Sequence, residues 1–268
     1  MLREIDGPAC CRLVSRPTYI MNPNTTAISA PCRVLARDPG LAEAIAPERR
    51  ARATEDCIAR ELALAPGRWR TGPAIGGPGA IGLLVLEGLL IRRVGIGGRH
   101  GAELLGEGDL LRPWEGDGEP RTLPMTTGWR VLEPVRVAVL DEAFMGHLAT
   151  YPELGGRLVG RAVSRSRSLA VNMAIVHQAR VDARLHMLFW HLAGRWGRVG
   201  NEGVMLPMRL THAVLSEMVA ARRPTVTSAL TLLAKRELVL PADGGWLLHG
   251  EPPGELDGEL AAVGAKPV

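Results

Sequence analysis

The residues best suited to recognise another molecule lie on one predicted helix, between Arg223 and Lys235. Four apolar residues in it recur at the i, i+3, i+4, i+7 spacing of a buried helix face: Val226, Ala229, Leu230 and Leu233. The opposite face carries short hydroxyl or basic side chains and no acid: Arg223, Thr225, Thr227, Ser228, Thr231 and Lys235. Such groups donate hydrogen bonds to phosphate oxygens and to the acceptor atoms of nucleobases.

A second helix is predicted directly before this one. Thr211 is a suitable N-cap, and Leu215, Met218 and Val219 follow at i, i+3, i+4 spacing on one apolar face. A short turn leads to Pro224, which lies in the first turn of the next helix, where its missing N–H costs nothing. Two helices joined in this way predict a helix-turn-helix, whose second helix enters the major groove of double-stranded DNA.

Two apolar runs, Leu238–Leu240 and Trp246–Leu248, flank Asp243-Gly244-Gly245 and predict a β-hairpin after the second helix. The two helices and the hairpin together indicate a winged helix-turn-helix. In it, Arg223 is the best candidate for a bidentate guanine contact, and Thr225 and Thr227 suit phosphate oxygens. An ordinary helical hairpin with a solvated polar face is the alternative interpretation.

Charge supports the nucleic-acid interpretation. Residues 157–238 contain 13 Lys and Arg against 4 Asp and Glu, although the net charge of the whole chain is only +4. A basic block of this kind is the electrostatic footprint of a nucleic-acid binder, although a solvated helix surface also produces it.

The sequence offers no pattern for a metal, a cofactor or a membrane anchor. The four cysteines lack zinc-ligand spacing and are expected to be unpaired thiols in a reducing cytoplasm: Cys10, Cys11, Cys32 and Cys57. No secretory signal is recognisable, and the most apolar run, Ile81–Ile91, is too short to cross a bilayer. We therefore expect a cytoplasmic protein with no membrane partner.

The first half of the chain contains the elements that must support the predicted winged helix-turn-helix. Residues 1–38 lack periodicity and are expected to be a poorly ordered tail. Pro39–Leu64 is predicted to be helical, with Leu41, Ile45, Ile58 and Leu62 as apolar anchors and a new helix at Pro47. From Ala65, glycine-rich turns separate short apolar runs, which predicts an antiparallel β-roll or barrel.

A long helix is predicted from Pro152 to about Arg180, followed by an apolar helix from Val181 to Trp196. On the long helix, four residues near a/d spacing form a candidate dimer interface: Leu158, Ala162, Leu169 and Val176. The alternative is that this seam packs on the roll of its own chain.

These elements and several short motifs resemble the CRP/FNR family of transcription regulators over about residues 40–250. The motifs are Leu64-Ala65-Pro66-Gly67, residues 103–110, residues 132–137, residues 206–211 and residues 223–227. The resemblance implies an α+β fold, in which an N-terminal antiparallel β-roll of the cyclic-nucleotide-binding, jelly-roll type precedes a long dimerisation helix and a C-terminal winged helix-turn-helix. It also implies a homodimer on a roughly palindromic DNA site and contact with RNA polymerase.

We accordingly divide the chain into five parts: a tail (1–38), the roll (39–150), the dimerisation helix (151–180), the DNA-binding unit (181–250) and an acidic tail (251–268). The expected DNA-binding residues combine the resemblance with the polar face of the second helix. They are Arg209, Thr211, Arg222, Arg223, Thr225, Thr227, Ser228 and Lys235.

The sequence departs from the family pattern in ways that bear on its ligand. Cyclic-nucleotide-binding members use a Gly-Glu cassette and an Arg-Ser/Thr pair, but Met125 and Thr126 occupy the pair's position. Gly118-Glu119 and Arg121-Thr122 have similar residue types but stand at the wrong spacing. The cysteines do not match the iron–sulfur members. In the turn, Ala220 stands where glycine is common, and Arg222 stands where a serine-type cap is common.

Four interpretations of the roll remain open. It is a sensor for a ligand other than a cyclic nucleotide, a scaffold without a ligand, a cyclic-nucleotide sensor despite these departures, or an enzyme-like metal site of the cupin type around His100 and Glu103. A cupin needs a His-x-His cluster and a further distant histidine, which this sequence lacks. We therefore expect no catalytic residue, no metal and no cofactor.

Overall fold

The computed structural model describes residues 25–70, 75, 79–114 and 123–253. Its first half contains ten elements: β1 (Thr25–Arg33), α1 (Val34–Arg37), α2 (Pro39–Ala42), α3 (Pro47–Asp56), β2 (Ile58–Leu64), β3 (Gly67–Trp69), β4 (Gly82–Ile96), β5 (Arg99–Gly106), β6 (Leu110–Leu111) and β7 (Met125–Leu140). The second half contains α4 (Glu142–Thr150), α5 (Pro152–His177), α6 (Val181–Trp196), β8 (Arg198–Gly200), β9 (Gly203–Leu206), α7 (His212–Met218), α8 (Arg223–Lys235), β10 (Val239–Ala242) and β11 (Gly245–Leu248).

The first half is a seven-stranded antiparallel sheet with the order β1-β2-β7-β4-β5, in which β3 also pairs with β7 and β6 with β4. Each of its two long strands, β4 and β7, joins apolar runs that are separate in the sequence. Their pairing shifts register around Gly88, which has φ +90° and whose missing Cβ would lie 2.0 Å from the carbonyl oxygen of Pro134. Only glycine allows the two backbones to approach this closely, and the bulge bends the sheet into a roll.

The prediction of a poorly ordered tail is wrong for residues 25–38. Residues 1–24 lie outside the described part of the chain. Strand β1 pairs with β2, with Cys32 opposite Ala59, and α1 follows directly. Val34 and Leu35 are buried in the roll's core. The segment is ordered because its partner strand and core neighbours lie far along the chain, which local periodicity does not report. The expected acidic tail, 251–268, lies outside the described residues from 254 onward.

The helix predicted over Pro39–Leu64 is present only in part. The new helix at Pro47 is confirmed, but it ends at Asp56, and β2 follows. Ile58 is 46% exposed at the start of β2, whereas Leu62 is buried in the core of the roll, where β2 pairs with both β1 and β7. The two residues are therefore strand positions and not helix anchors.

Helix α5 is held on the roll by three arginines spaced four residues apart, which share one helix face. Arg157 donates to the carbonyl oxygen of Gly40 (3.1 Å), and Arg161 donates to both carboxylate oxygens of Asp38, one of them at 2.7 Å. Arg165 donates to both carboxylate oxygens of Glu103 (2.6 and 2.8 Å). This side of α5 is therefore fixed against its own chain.

The helices after α5 pack on the outside of the sheet. Leu89, Ile91 and Leu104, from β4 and β5, belong to the same buried cluster as Leu185 and Phe189 of α6. Helix α6 thus packs directly against the outer face of the roll. Within the described residues, no helix is both long and apolar enough to cross a membrane.

Cys32 and Cys57 are buried, unpaired thiols, as the sequence predicts, whereas Cys10 and Cys11 lie outside the described residues. Burial raises the pKa of each buried thiol to about 11, with the carboxylates of Glu61 and Asp56 adding to the effect. Both thiols therefore remain protonated and unreactive at neutral pH.

Replacing Arg165 should destabilise the fold because it leaves the buried Glu103 carboxylate with Arg92 as its one remaining ion-pair partner. We expect Arg165→Met to lower the free energy of unfolding by about 3 kcal/mol in urea denaturation. The control is Arg52→Met, which removes an exposed i, i+4 pair with Asp56 and should cost less than about 1 kcal/mol. Equal losses in the two variants would contradict the role given to Arg165.

Candidate nucleic-acid interface

The two helices of the predicted DNA-binding motif form with the expected boundaries. The Thr211 hydroxyl caps α7 by accepting a hydrogen bond from the backbone N–H of Val214 (3.3 Å). Helix α8 begins at Arg223 and has Pro224 in its first turn. Between them, Ala220 has φ +49°, a left-handed conformation that L side chains rarely adopt. The expectation that this position favours glycine is thereby explained.

The apolar face of α8 is buried as predicted: Val226, Ala229, Leu230 and Leu233 are all at most 8% exposed. They join the cluster that contains α6 and the hairpin, where the rings of Phe189 and Trp246 lie 5.0 Å apart. The opposite face of α8 is consequently turned outward. All eight expected DNA-binding residues are exposed: Arg209, Thr211, Arg222, Arg223, Thr225, Thr227, Ser228 and Lys235.

Hydrogen bonds separate six of these eight residues into two groups. Thr227 donates to the carbonyl oxygen of Arg223 (3.1 Å), and Ser228 donates to that of Pro224 (3.2 Å). Each hydroxyl proton is already donated to a carbonyl oxygen of the helix. The two hydroxyls therefore offer only acceptor lone pairs to another molecule. Four residues make no side-chain hydrogen bond or ion pair within the described part of the chain: Arg222, Arg223, Thr225 and Lys235.

Arg209 lies beside the hairpin rather than on α8. Its guanidinium is 3.9 Å from the Asp243 carboxylate, and both side chains are largely exposed. An exposed pair at this distance contributes little to stability, so a phosphate group would compete readily for the arginine.

His212 is a further polar residue of this surface, which we did not predict. Its Nδ1 is 3.0 Å from the Thr227 hydroxyl, which joins the first turn of α7 to α8. The sequence contained a weak signal for it, because His212 directly follows the cap residue Thr211 and begins α7.

The predicted hairpin is also present. Strands β10 and β11 pair around Asp243 and Gly244 and continue through β9 to β8 as a four-stranded sheet. Gly244 has φ +79°, as a two-residue hairpin turn requires, whereas Gly245 already belongs to β11.

An ion cluster fixes α7 against the roll. The Glu217 carboxylate lies 3.3 Å from Nε of Arg93 on β4 and 3.6 Å from Nη2 of Arg130 on β7. Glu217 is one of only four acids in the basic block of residues 157–238. No local pattern in the sequence indicates its partners, which are more than eighty residues away.

The predicted dimer seam needs correction at Leu158. This residue is 3% exposed because it packs in the roll's own core, so it is not available to a partner. Ala162 is exposed, and Leu169 and Val176 are half-buried. Three exposed apolar side chains of α5 lie on an adjacent face, at Val159 (64%), Val163 (46%) and Met173 (64%), whereas Val171 (45%) lies on another face.

The other candidate sites can also be located. Glu103 is buried and bound by Arg92 and Arg165, whereas His100 is exposed, and the described residues contain no group of three potential metal ligands. Met125 begins β7 opposite Ile96. Gly118-Glu119 and Arg121-Thr122 lie outside the described residues.

Comparisons with known proteins give a structural likeness without a sequence match. No family model and no curated protein sequence matches the chain. A CooA mutant from Carboxydothermus hydrogenoformans matches with a TM-score of 0.57 and 15% identity, covering 81% of this chain and 89% of that chain. A cyclic nucleotide-binding domain containing protein from Listeria monocytogenes EGD-e matches with a TM-score of 0.57 and 13% identity (70% and 87% covered).

FixK2 from Bradyrhizobium japonicum matches with a TM-score of 0.52 and 13% identity, covering 72% of this chain and 93% of that chain. The resemblance to the CRP/FNR regulators is thus confirmed at the level of the fold, which mixes helices with an antiparallel sheet. At these identities the likeness defines the fold and leaves the activity to be argued from this chain's own residues.

Replacing Ala220 by glycine should stabilise the protein, because glycine adopts φ +49° without steric cost. We expect Ala220→Gly to raise the free energy of unfolding by about 1 kcal/mol in urea denaturation. The matched control is the neighbouring Ala221→Gly, at a residue without positive φ, which should lower stability instead. A loss of stability in Ala220→Gly would show that the turn is not strained.

Proposed function

We propose that this chain is a sequence-specific DNA-binding transcription regulator and that α7, α8 and the β10–β11 hairpin are its winged helix-turn-helix. The single observation that supports this most directly is the acid-free, exposed face of α8, opposite a fully buried apolar face. Arg223 and Thr225 lie in the first turn of this helix, where side chains of a recognition helix reach base edges.

The groups around α8 are suited to phosphate contacts on both sides of the groove. The N-terminus of α8 presents unpaired backbone N–H groups, which favour an anion. Arg209 on the hairpin side and Lys235 at the far end of α8 supply positive charge at the borders of this face. Phosphate contacts of this kind fix the register of a protein on DNA, whereas the arginine donors at the helix start read the sequence.

We propose further that the regulator is a homodimer formed through α5. The exposed stripe of Val159, Val163 and Met173 lies on one side of the helix, and Ala162 lies at its border. Large exposed apolar side chains in a row are uncommon on a monomer and suit a helix partner. A two-fold axis through α5 matches a roughly palindromic site that is read by two α8 helices.

The remaining parts of the proposal follow from the resemblance. The roll (39–150) is a sensor or a scaffold, residues 151–180 form the dimerisation helix, and residues 181–250 form the DNA-binding unit. The protein acts in the cytoplasm by contacting RNA polymerase and has no catalytic activity. A ligand of the roll other than a cyclic nucleotide is the favoured form of control, because Met125 replaces the arginine that would bind a phosphate.

Arg223→Ala should relax sequence preference, because it removes the free guanidinium at the start of α8. We expect the preferred half-site from a selection experiment to lose its guanine, with a loss of about 1–3 kcal/mol in binding to the original site. The control is Arg198→Ala on β8, which removes an exposed arginine of the same unit and should leave the preferred site unchanged.

Gel-shift titrations at several salt concentrations separate the two kinds of contact. Arg209→Ala should weaken all DNA sites alike and reduce the salt slope by about one per protomer. A wild-type protein with no preferred sequence and a salt slope near zero would overturn the DNA-binding proposal.

The double variant Val159→Lys, Val163→Lys should prevent dimerisation because it places four charges in the proposed helix–helix interface. We expect analytical ultracentrifugation to show a dimer for the wild type and a monomer for the variant, with unchanged circular dichroism. Val199→Lys is the control, since Val199 is 88% exposed on β8 and away from α5. A variant that remains dimeric would place the interface elsewhere.

A further inference from the structure

A cavity of about 320 Å³ lies where α5, α6 and β5 meet. Its walls come from parts of the chain that the proposed function treats as separate units. Leu104 and Asp109 belong to the roll, Asn172 to α5, His191 to α6 and Met218 to α7. The volume is at the small end of the range for ligand sites in proteins, which is about 300–1,000 Å³.

The charges that line this cavity are already balanced. Arg165 binds both carboxylate oxygens of Glu103, and Arg195 binds those of Asp109 at 3.0 and 3.1 Å. The backbone N–H of Gly106 also donates to Asp109 (2.9 Å). An ion that entered the cavity would lack a free counter-charge, and an unpaired buried charge is strongly unfavourable. The cavity therefore selects for an uncharged molecule.

Neutral polar groups remain available in the same walls. Nε2 of His191 lies 2.9 Å from the Ser168 hydroxyl, and burial lowers the pKa of His191, so its imidazole is neutral at pH 7. Nδ1 of His191 and the Asn172 amide make no hydrogen bond with another described residue. The amide supplies both a donor and an acceptor. Trp196 and Leu192 provide apolar surface beside these groups.

We propose that this cavity is a binding site for a small, uncharged, planar molecule that carries both hydrogen-bond donors and acceptors, of the nucleobase or aromatic carboxamide class. The Asn172 amide and the Ser168–His191 pair would hydrogen-bond to its edge, and Trp196 and the leucines would contact its faces. The site assignment rests on the geometry and chemistry of these walls alone.

A regulatory consequence follows if the proposed function holds. A ligand in this cavity contacts α5, α6 and α7 together, so it stabilises the docked position of the helices that present α8. We expect its binding to change the affinity for DNA, in which case DNA changes the affinity for the ligand by the same factor. This step, unlike the site itself, depends on the DNA-binding proposal.

The test is isothermal titration calorimetry of the full chain, in the absence of DNA, with adenine, uracil and nicotinamide as uncharged probes. Benzoate and inorganic phosphate are the charged comparison compounds. We expect at least one uncharged probe to bind at millimolar concentration or below and to raise the melting temperature, and neither anion to do so. Failure of all three uncharged probes would overturn the site.

Two variants test whether the probe binds in this cavity. Asn172→Leu and Ser168→Ala should each weaken binding of that probe by about tenfold, since each removes one hydrogen-bonding group. The matched control is Ser164→Ala, an exposed serine one turn earlier on α5, which should bind like the wild type. Equal affinity in Asn172→Leu, Ser168→Ala and the wild type would overturn the assignment to this cavity.

Gel shifts with and without the bound probe separate this inference from the proposed function. A probe that binds and changes the affinity for DNA supports both the site and its regulatory role. A probe that binds without changing DNA affinity overturns the regulatory step and leaves the site in place. DNA binding without any probe binding overturns the site and leaves the proposed function in place.

Discussion

The fold depends on the need of buried carboxylates in the roll for positive partners. Asp38, Glu103 and Asp109 are each at most 6% exposed, and each is paired with an arginine from a helix that follows the sheet. A carboxylate buried without a partner would either be protonated or destabilise the structure by several kcal/mol. The roll is therefore completed by α5 and α6, which supply the positive partners of its buried acids.

This requirement fixes the rotation of α5 about its own axis. With its arginines turned toward the roll, residues on the far side of the helix must face outward, and these include Val159, Val163 and Met173. The surface proposed for dimerisation is thus a consequence of where the acids of the roll lie. In the same way, the pair between Arg195 and Asp109 and the contacts of Glu217 orient the helices that carry α8.

Features determined by neighbours in sequence could be predicted, and those determined by distant partners could not. The buried face of α8, the cap at Thr211 and the hairpin each follow from a few consecutive residues. By contrast, β1 and β2 are strands because they pair with each other and because β2 also pairs with β7. Leu158 does not belong to the predicted dimer seam because it packs in the roll's own core. Local periodicity likewise does not predict the two ion-pair partners of Glu217.

The proposed recognition face illustrates the same limit at the level of single hydrogen bonds. Its sequence suggests many equivalent donors, yet Thr227, Ser228 and Thr231 each donate to a backbone carbonyl four residues earlier. Side chains bonded in this way leave room for close approach of DNA but supply no free proton. Under the DNA-binding proposal, the free hydrogen-bond donors near the start of α8 are therefore Arg222, Arg223 and Thr225. A face that appears uniformly polar in sequence is, in the structure, a short cluster of donors followed by a surface of acceptors, with Lys235 as a further donor at its far end.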